Sequence, residues 1–167
     1  MLPVTVNNNL IENHRLYCKC GSTLNDVSKR DYRGKNYFDN TIKCLDTDSY
    51  ENKLAANEKR DKRPTVDAVI GISDIKNGLK TCDRLFLVEL RLGYKTEETL
   101  DFDNMYRKVT NTRGFFYNDR IENEVAFIFS ETIIQKTKNA FERRKRASKK
   151  FKDFTIYTVN SFNNTVK

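Results

Sequence analysis

The sequence predicts an α/β (α+β) chain in which a mixed β-sheet is flanked by helices. Two apolar runs, 64–71 and 84–92, have strand character and are separated by Asn77-Gly78, a hairpin-turn dipeptide. Segments 99–110 and 132–150 carry apolar residues at helical spacing. A further apolar run, 124–130, lies between those helices. A strand–helix–strand crossover therefore follows the hairpin, and parallel pairing joins the antiparallel pair.

Residues 1–40 are Asn-rich and irregular, with short apolar patches at Leu10-Ile11 and Leu16-Tyr17. They read as an extension that packs on the core or on a partner, and residues 41–167 read as the folded domain. Tyr37 to Cys44 is a candidate strand. Asp48-Ser49 offers an N-cap for a helix running to about Arg60, with Tyr50, Leu54 and Ala55 on one side. The basic stretch Lys59 to Arg63 breaks that helix ahead of Pro64, and the two strands of the hairpin follow. Phe102, Met105, Tyr106 and Val109 mark an amphipathic helix that Arg113-Gly114 ends. Glu124 to Ser130 is a buried strand by its continuous apolar run. Ile133, Thr137, Ala140, Phe141, Arg144, Ala147 and Phe151 form the stripe of a long helix. Phe154, Ile156 and Tyr157 mark a last strand over 153–160.

At 167 residues the chain suits one domain with a real core. A net charge of +8 favours a polyanionic partner, and nucleic acid is the commonest. No run approaches the apolar length of a membrane span, and Met1-Leu2-Pro3-Val4 lacks a signal-peptide pattern, so a cytoplasmic setting is expected. His14, Cys18, Cys20 and Cys44 allow a Cys3His zinc site in principle. Paired CxxC knuckles are absent, however, and reduced thiols are the simpler reading.

Each strand of the hairpin carries an acid, Asp67 in the first and Glu89 in the second. A carboxylate in a buried strand loses hydration at a cost of several kcal/mol unless a cation, metal or donor compensates. Side by side, two such acids repel, and such pairs persist mostly around a divalent metal. Gly78 is the midpoint between them. An odd-numbered loop centred there puts Asp67 opposite Glu89 on one face, about 5 Å apart at Cβ. A strict two-residue Asn-Gly loop instead pairs Asp67 with Val88 and sends the acids to opposite faces. The polar stretch from Ser73 to Asp83 has room for a bulge, and the odd register is the one expected. Period two then groups Leu85, Leu87, Glu89 and Arg91 on one face and Phe86, Val88, Leu90 and Leu92 on the other. The metal-free alternative pairs the acids with Arg84, Arg91 or Lys80.

Asp67, three residues after Pro64, followed by the triplet Glu89-Leu90-Arg91, resembles the motif of the PD-(D/E)xK (restriction endonuclease-like) nuclease superfamily. The resemblance covers roughly residues 40–160. It implies a restriction-endonuclease-like sheet and a metal-dependent nuclease acting on DNA. Asp67, Glu89 and the backbone oxygen of Leu90 would hold Mg2+ or Mn2+, with Glu51 of the first helix added to the metal shell. Arg91 would contact the scissile phosphate. The family usually has lysine there, and arginine is too basic to act as a general base, so Lys95 and Lys108 are candidates to replace it. Family resemblance also suggests dimerisation or a protein partner, as in a restriction or phage-defence complex. The alternative is a catalytically inactive subunit that binds nucleic acid or protein. On a continuous helix, Arg143, Arg146 and Lys150 share an edge with Lys145 and Lys149 beside them, a ridge able to track phosphates.

Overall fold

In the computed structural model, which describes residues 4–33 and 35–166, a seven-stranded mixed sheet organises the chain. The elements in order are β1 (Val4–Val6), α1 (Asn8–Glu12), α2 (Tyr17–Cys20), β2 (Gly21–Thr23), α3 (Leu24–Asp31), β3 (Lys43–Asp46), α4 (Thr47–Glu58), β4 (Ala68–Lys76), β5 (Leu79–Arg91), α5 (Phe102–Phe115), β6 (Ile121–Phe129), α6 (Ile134–Ala147), β7 (Phe154–Thr158) and α7 (Val159–Thr165). Strand order is β2-β3-β4-β5-β6-β7, and β1 pairs with the far half of β4. Pairing is antiparallel from β2 to β5 and parallel from β5 to β7. The crossovers α5 and α6 make those parallel pairs possible.

Period two in the central strands builds a core on each face. Leu85, Leu87 and Phe127 join Met105 and Val109 of α5 and Phe141 of α6. Phe86, Val88, Leu90, Leu92 and Ile128 join Leu24 and Val27 of α3 and Phe162 of α7. The expected division of residues 85–92 between faces is the one observed.

The hairpin reconciles the two competing registers. Asn77 and Gly78 both have positive φ, 52° and 75°, and Lys76 pairs with Leu79, so the turn is the tight two-residue kind. Glycine supplies its second position without steric cost. Between the pairs Asp74↔Thr81 and Ile72↔Arg84, Ser73 of β4 faces two residues of β5, Cys82 and Asp83. Cys82 takes the left-handed conformation (φ 54°), and Ser73 Oγ donates to Asp83 Oδ1 at 2.5 Å. This bulge adds the residue that shifts the register. Ala68 then pairs with Val88, and one step further the same register sets Asp67 opposite Glu89.

Several boundaries differ from the sequence expectation. The described part of residues 1–40 is no irregular extension: β1 and β2 add to the sheet, and α3 covers one of its faces. Their Asn, Ser and Thr content reflects capping, as where Asn7 accepts from Leu10 N and Thr23 from Asp26 N. The strand before α4 is 43–46 rather than 37–44, and α4 is capped by Asp46, which accepts from Ser49 N, rather than by Asp48. β4 starts at Ala68, so Asp67 immediately precedes it. α5 runs on to Phe115, past Gly114. α6 stops at Ala147 because Ser148 is extended, and residues 149–151 form a separate 3-10 turn. α7, opened by a Thr158–Ser161 capping box, takes the place of the end of the expected last strand. Among the described residues no helix is long and apolar enough to cross a membrane.

Candidate active site

The two strands and α5 bring four charged side chains together. Glu89 and Arg91 leave the last turnover of β5 toward the α5 face, and Asp67 enters from the residue before β4. Lys108 lies three residues after Met105 and four before Thr112, both buried, so the stripe that packs α5 on the sheet aims its stem inward. Glu89 is fully buried. Its Oε1 accepts from Lys108 Nζ at 2.7 Å and lies 2.7 Å from Arg91 Nη2. Arg91 also donates to the Tyr94 hydroxyl, and its guanidinium sits 4.8 Å from that ring's centre. Asp67 is half-buried, and its Oδ2 accepts from Leu90 N at 2.7 Å. Glu89 Oε2 and Arg91 Nε are buried without a hydrogen-bond partner.

The electrostatics follow from this crowding. Burial, then the neighbouring Asp67 charge, pushes the Glu89 carboxyl up to about 8 against the opposing pull of Lys108 and Arg91. Burial also raises Asp67, with Asp48 adding to the rise and Lys108 and the Leu90 N–H opposing it. Burial alone would lower Lys108, but Glu89 and Asp67 outweigh it and hold the ammonium above its usual range. Lys108 is thus a persistent cation. Two cations crowd one oxygen of Glu89, and its other carboxylate oxygen is left unused.

Glu51 does not join the pair. It is buried, but both its oxygens are taken by Arg60, at 2.5 and 3.1 Å, and Oε1 also accepts from Arg63 N at 2.8 Å. Those hydrogen bonds hold its carboxyl below the usual range despite burial. Lys59, left-handed at φ 52°, turns the chain back so that Arg60 and Arg63 cover Glu51. The α4 acid nearest the pair is Asp48, which accepts from Thr65 Oγ1 at 3.1 Å and pairs with Lys62 at 2.8 Å. A small cavity of about 150 Å3 is lined by Val27, Arg30, Asp48, Asp67 and Leu90. Asp48 was within reach of sequence reasoning, since Asp46 and Asp48 flank one helix start and only one can cap it. Arg30 carried no such signal, because α3 was not expected. Lys95 is exposed beyond the end of β5.

Two carboxylates and a backbone oxygen form a sparse donor set, and among the described residues no group of three or more His, Cys, Asp or Glu side chains is arranged to hold a metal. Mg2+ suits such a set, because it keeps several waters and takes one or two carboxylates plus substrate oxygens. The orphaned Glu89 Oε2 is the fitting observation. Zinc fits less well at the other cluster. His14 Nδ1 accepts from Leu16 N at 3.2 Å, so in the neutral ring Nε2 carries the proton, facing Asp119 at 3.4 Å. Cys20 and Cys44 are buried in different core clusters, and burial pushes both thiols up, Cys20 to about 11.

The basic ridge is shorter than expected. Arg143 and Arg146 are exposed on α6, and Lys149 is exposed on the following 3-10 turn. Lys150 falls off the ridge because the helix ends before it. Its ammonium pairs with Asp103 at 2.6 Å and lies 4.9 Å from the Phe151 ring centre. Comparison with protein-family models, curated proteins and solved structures found no match for this chain.

Proposed function

We propose that the chain is a metal-dependent nuclease of PD-(D/E)xK type acting on DNA. The observation that carries this reading is that the β4–β5 register, continued one residue beyond Ala68↔Val88, sets Asp67 opposite Glu89, with Lys108 on Glu89 and one buried carboxylate oxygen left over. Asp67, Glu89 and the Leu90 carbonyl oxygen are the groups that would hold Mg2+ or Mn2+. When bound, the metal supplies Lewis-acid polarisation of phosphoryl oxygens and a lowered pKa for water. The chain's own residues do the rest. Lys108, fixed as an ammonium, takes the electrostatic part of the family's lysine and stabilises charge developing on the phosphate. Its raised pKa removes it as a base. Arg91 holds Glu89 in place from the other side. Arg143, Arg146 and Lys149 offer phosphate contacts further along the DNA. A restriction or phage-defence assembly, with a second copy or a protein partner, is the setting that family resemblance suggests.

The second reading, a nuclease-like subunit that binds nucleic acid without cutting it, has its own observation in Arg91. With Lys108, it already neutralises Glu89 with no metal. Incubating the protein with single- and double-stranded DNA in Mg2+, Mn2+ or EDTA decides between the two. The nuclease cuts in metal and not in EDTA, and Asp67→Asn abolishes cutting while leaving DNA affinity within about twofold. Binding with no cutting in either metal favours the second reading.

A further inference from the structure

We infer that Arg30 of α3 is the substrate-phosphate contact of this site, in place of Arg91; the assignment rests on the nuclease reading above. Three observations converge on it. Arg30 lines a cavity of about 150 Å3 together with Asp67 and Leu90, two of the residues named for the proposed metal site, while Glu89 lies outside it toward α5. Its side chain is 47% exposed, whereas those of Arg91 and Lys108 are 12% and 17% exposed. Arg91 and Lys108 are also spent on Glu89, and Arg91 on Tyr94 as well. Of these three cations, Arg30 is the one most open to solvent and least engaged by acids.

The geometry also holds Arg30 ready. Arg30 Nη2 pairs with Asp46 Oδ1 at 2.9 Å, and Asp46 is itself fixed as the N-cap of α4 through Ser49 N. Among the described residues, that is the one ion pair Arg30 makes. A guanidinium has five N–H donors in a planar fork, so most remain for two phosphate oxygens. The cavity is otherwise acidic on the Asp67 side, with Asp48 already neutralised by Lys62. An unaided phosphate would be repelled there, and Arg30 is the cation that orients it toward Asp67. Residues 1–40 thereby supply part of the substrate platform.

Fluorescence anisotropy of a labelled oligonucleotide in Ca2+, across a salt series, reads binding separately from cleavage in Mg2+. Arg30→Gln should weaken binding about five- to tenfold and flatten the slope of log affinity against log salt by about one unit. Turnover at saturating DNA should also fall, by less than in Asp67→Asn, because Arg30 orients the phosphate. Arg30→Lys should keep the slope. Asp46→Asn retains the helix cap and loosens Arg30 without removing its charge, so it should weaken binding less than Arg30→Gln does and keep the slope. If Asp46→Asn instead flattens the slope as much as Arg30→Gln does, the lost term is the ion pair that holds α4 and not a phosphate contact, and the assignment is overturned. Unchanged affinity and slope in Arg30→Gln, in a protein that cleaves, also overturn it and leave the carboxylate site standing. Arg30-dependent binding with no cleavage in either metal keeps Arg30 and removes the nuclease reading. Failure of the wild type to bind overturns both.

Discussion

The two ends of the β4–β5 hairpin carry nearly the same residue types and use them differently. Toward the tip, Arg84 lies between Asp74, at 2.9 Å, and Glu122 of β6, with all three partly exposed. At the base, Glu89 lies between Arg91 and Lys108 in full burial, and Asp67 has one backbone N–H as its hydrogen-bond donor. One cation shared by two acids near solvent is an ordinary way to finish a sheet edge. Two cations crowded on one oxygen of a buried acid, with the other oxygen idle, leave a charge arrangement that folding alone does not require. A buried charge is costly unless its partners satisfy it. Similar sequence ingredients thus give an ion-paired network near solvent at one end and, at the other, a buried one with a carboxylate oxygen that has no ion pair and no hydrogen bond.

Swapping acids for amides at each end should give the widest separation. Asp67→Asn or Glu89→Gln should lower cleavage by on the order of 10³-fold, about 4 kcal/mol of transition-state stabilisation. Asp74→Asn should leave single-turnover cleavage within about threefold. Equal losses at both ends would mean that the hairpin matters only as a scaffold.

Cation removal sharpens the contrast further. Lys108→Met strands Glu89 with Arg91 alone and should destabilise the protein by about 3 kcal/mol, the range for breaking a buried pair. It should also cost cleavage on the order of 10²-fold. Arg84→Met should lose stability without a comparable fall in turnover at a temperature where both variants are folded. Urea midpoints and single-turnover rates, measured on the same preparations, test this.

How much of this was legible depended on period and register. The division of residues 85–92 between faces follows from alternation, and Lys108 was reachable because it rides the Met105–Val109 stripe. The facing of Asp67 and Glu89 was decided by a bulge that needs Cys82 in a left-handed conformation, which no residue preference announces. Asn77-Gly78 alone pointed to the wrong face. The fate of Glu51 hung on another left-handed residue, Lys59, where glycine would have been the signal. Residues 1–40 were unreadable because their strands have three residues each, too short for any periodicity. Arg30 went unseen with them.

Acidity gives a smaller, signed test of the open end. Glu89 is raised from its ordinary 4.5 to about 8, so between those values the native state keeps a proton that the unfolded chain has released. Stability from this residue is then full below about pH 4.5 and declines as pH rises through about 8. Glu89→Gln should flatten that decline in urea midpoints taken between about pH 5 and pH 9. Mg2+ binding to the wild type should release protons, visible as a buffer-dependent heat in titration calorimetry. A wild type whose midpoint is flat with pH, like Glu89→Gln, would place Glu89 fully ionised in the native state.

The smallest effect belongs to α6, away from both ends. Arg143 and Arg146 are exposed and carry no ion pair among the described residues, whereas Lys150 is held by Asp103. Changing both arginines to Gln keeps helix propensity and removes two charges. The salt slope for duplex DNA should flatten by about two units, and affinity should fall evenly across sequences, because phosphate contacts carry no base information. Lys150→Gln should do little to the slope, since that ammonium is already spent. Turnover at saturating DNA should match wild type, which separates this surface from the Asp67–Glu89 end. An unchanged slope in the double variant would assign the α6 face to solvent or to a protein partner, and DNA binding would then depend on the cavity side of the sheet alone.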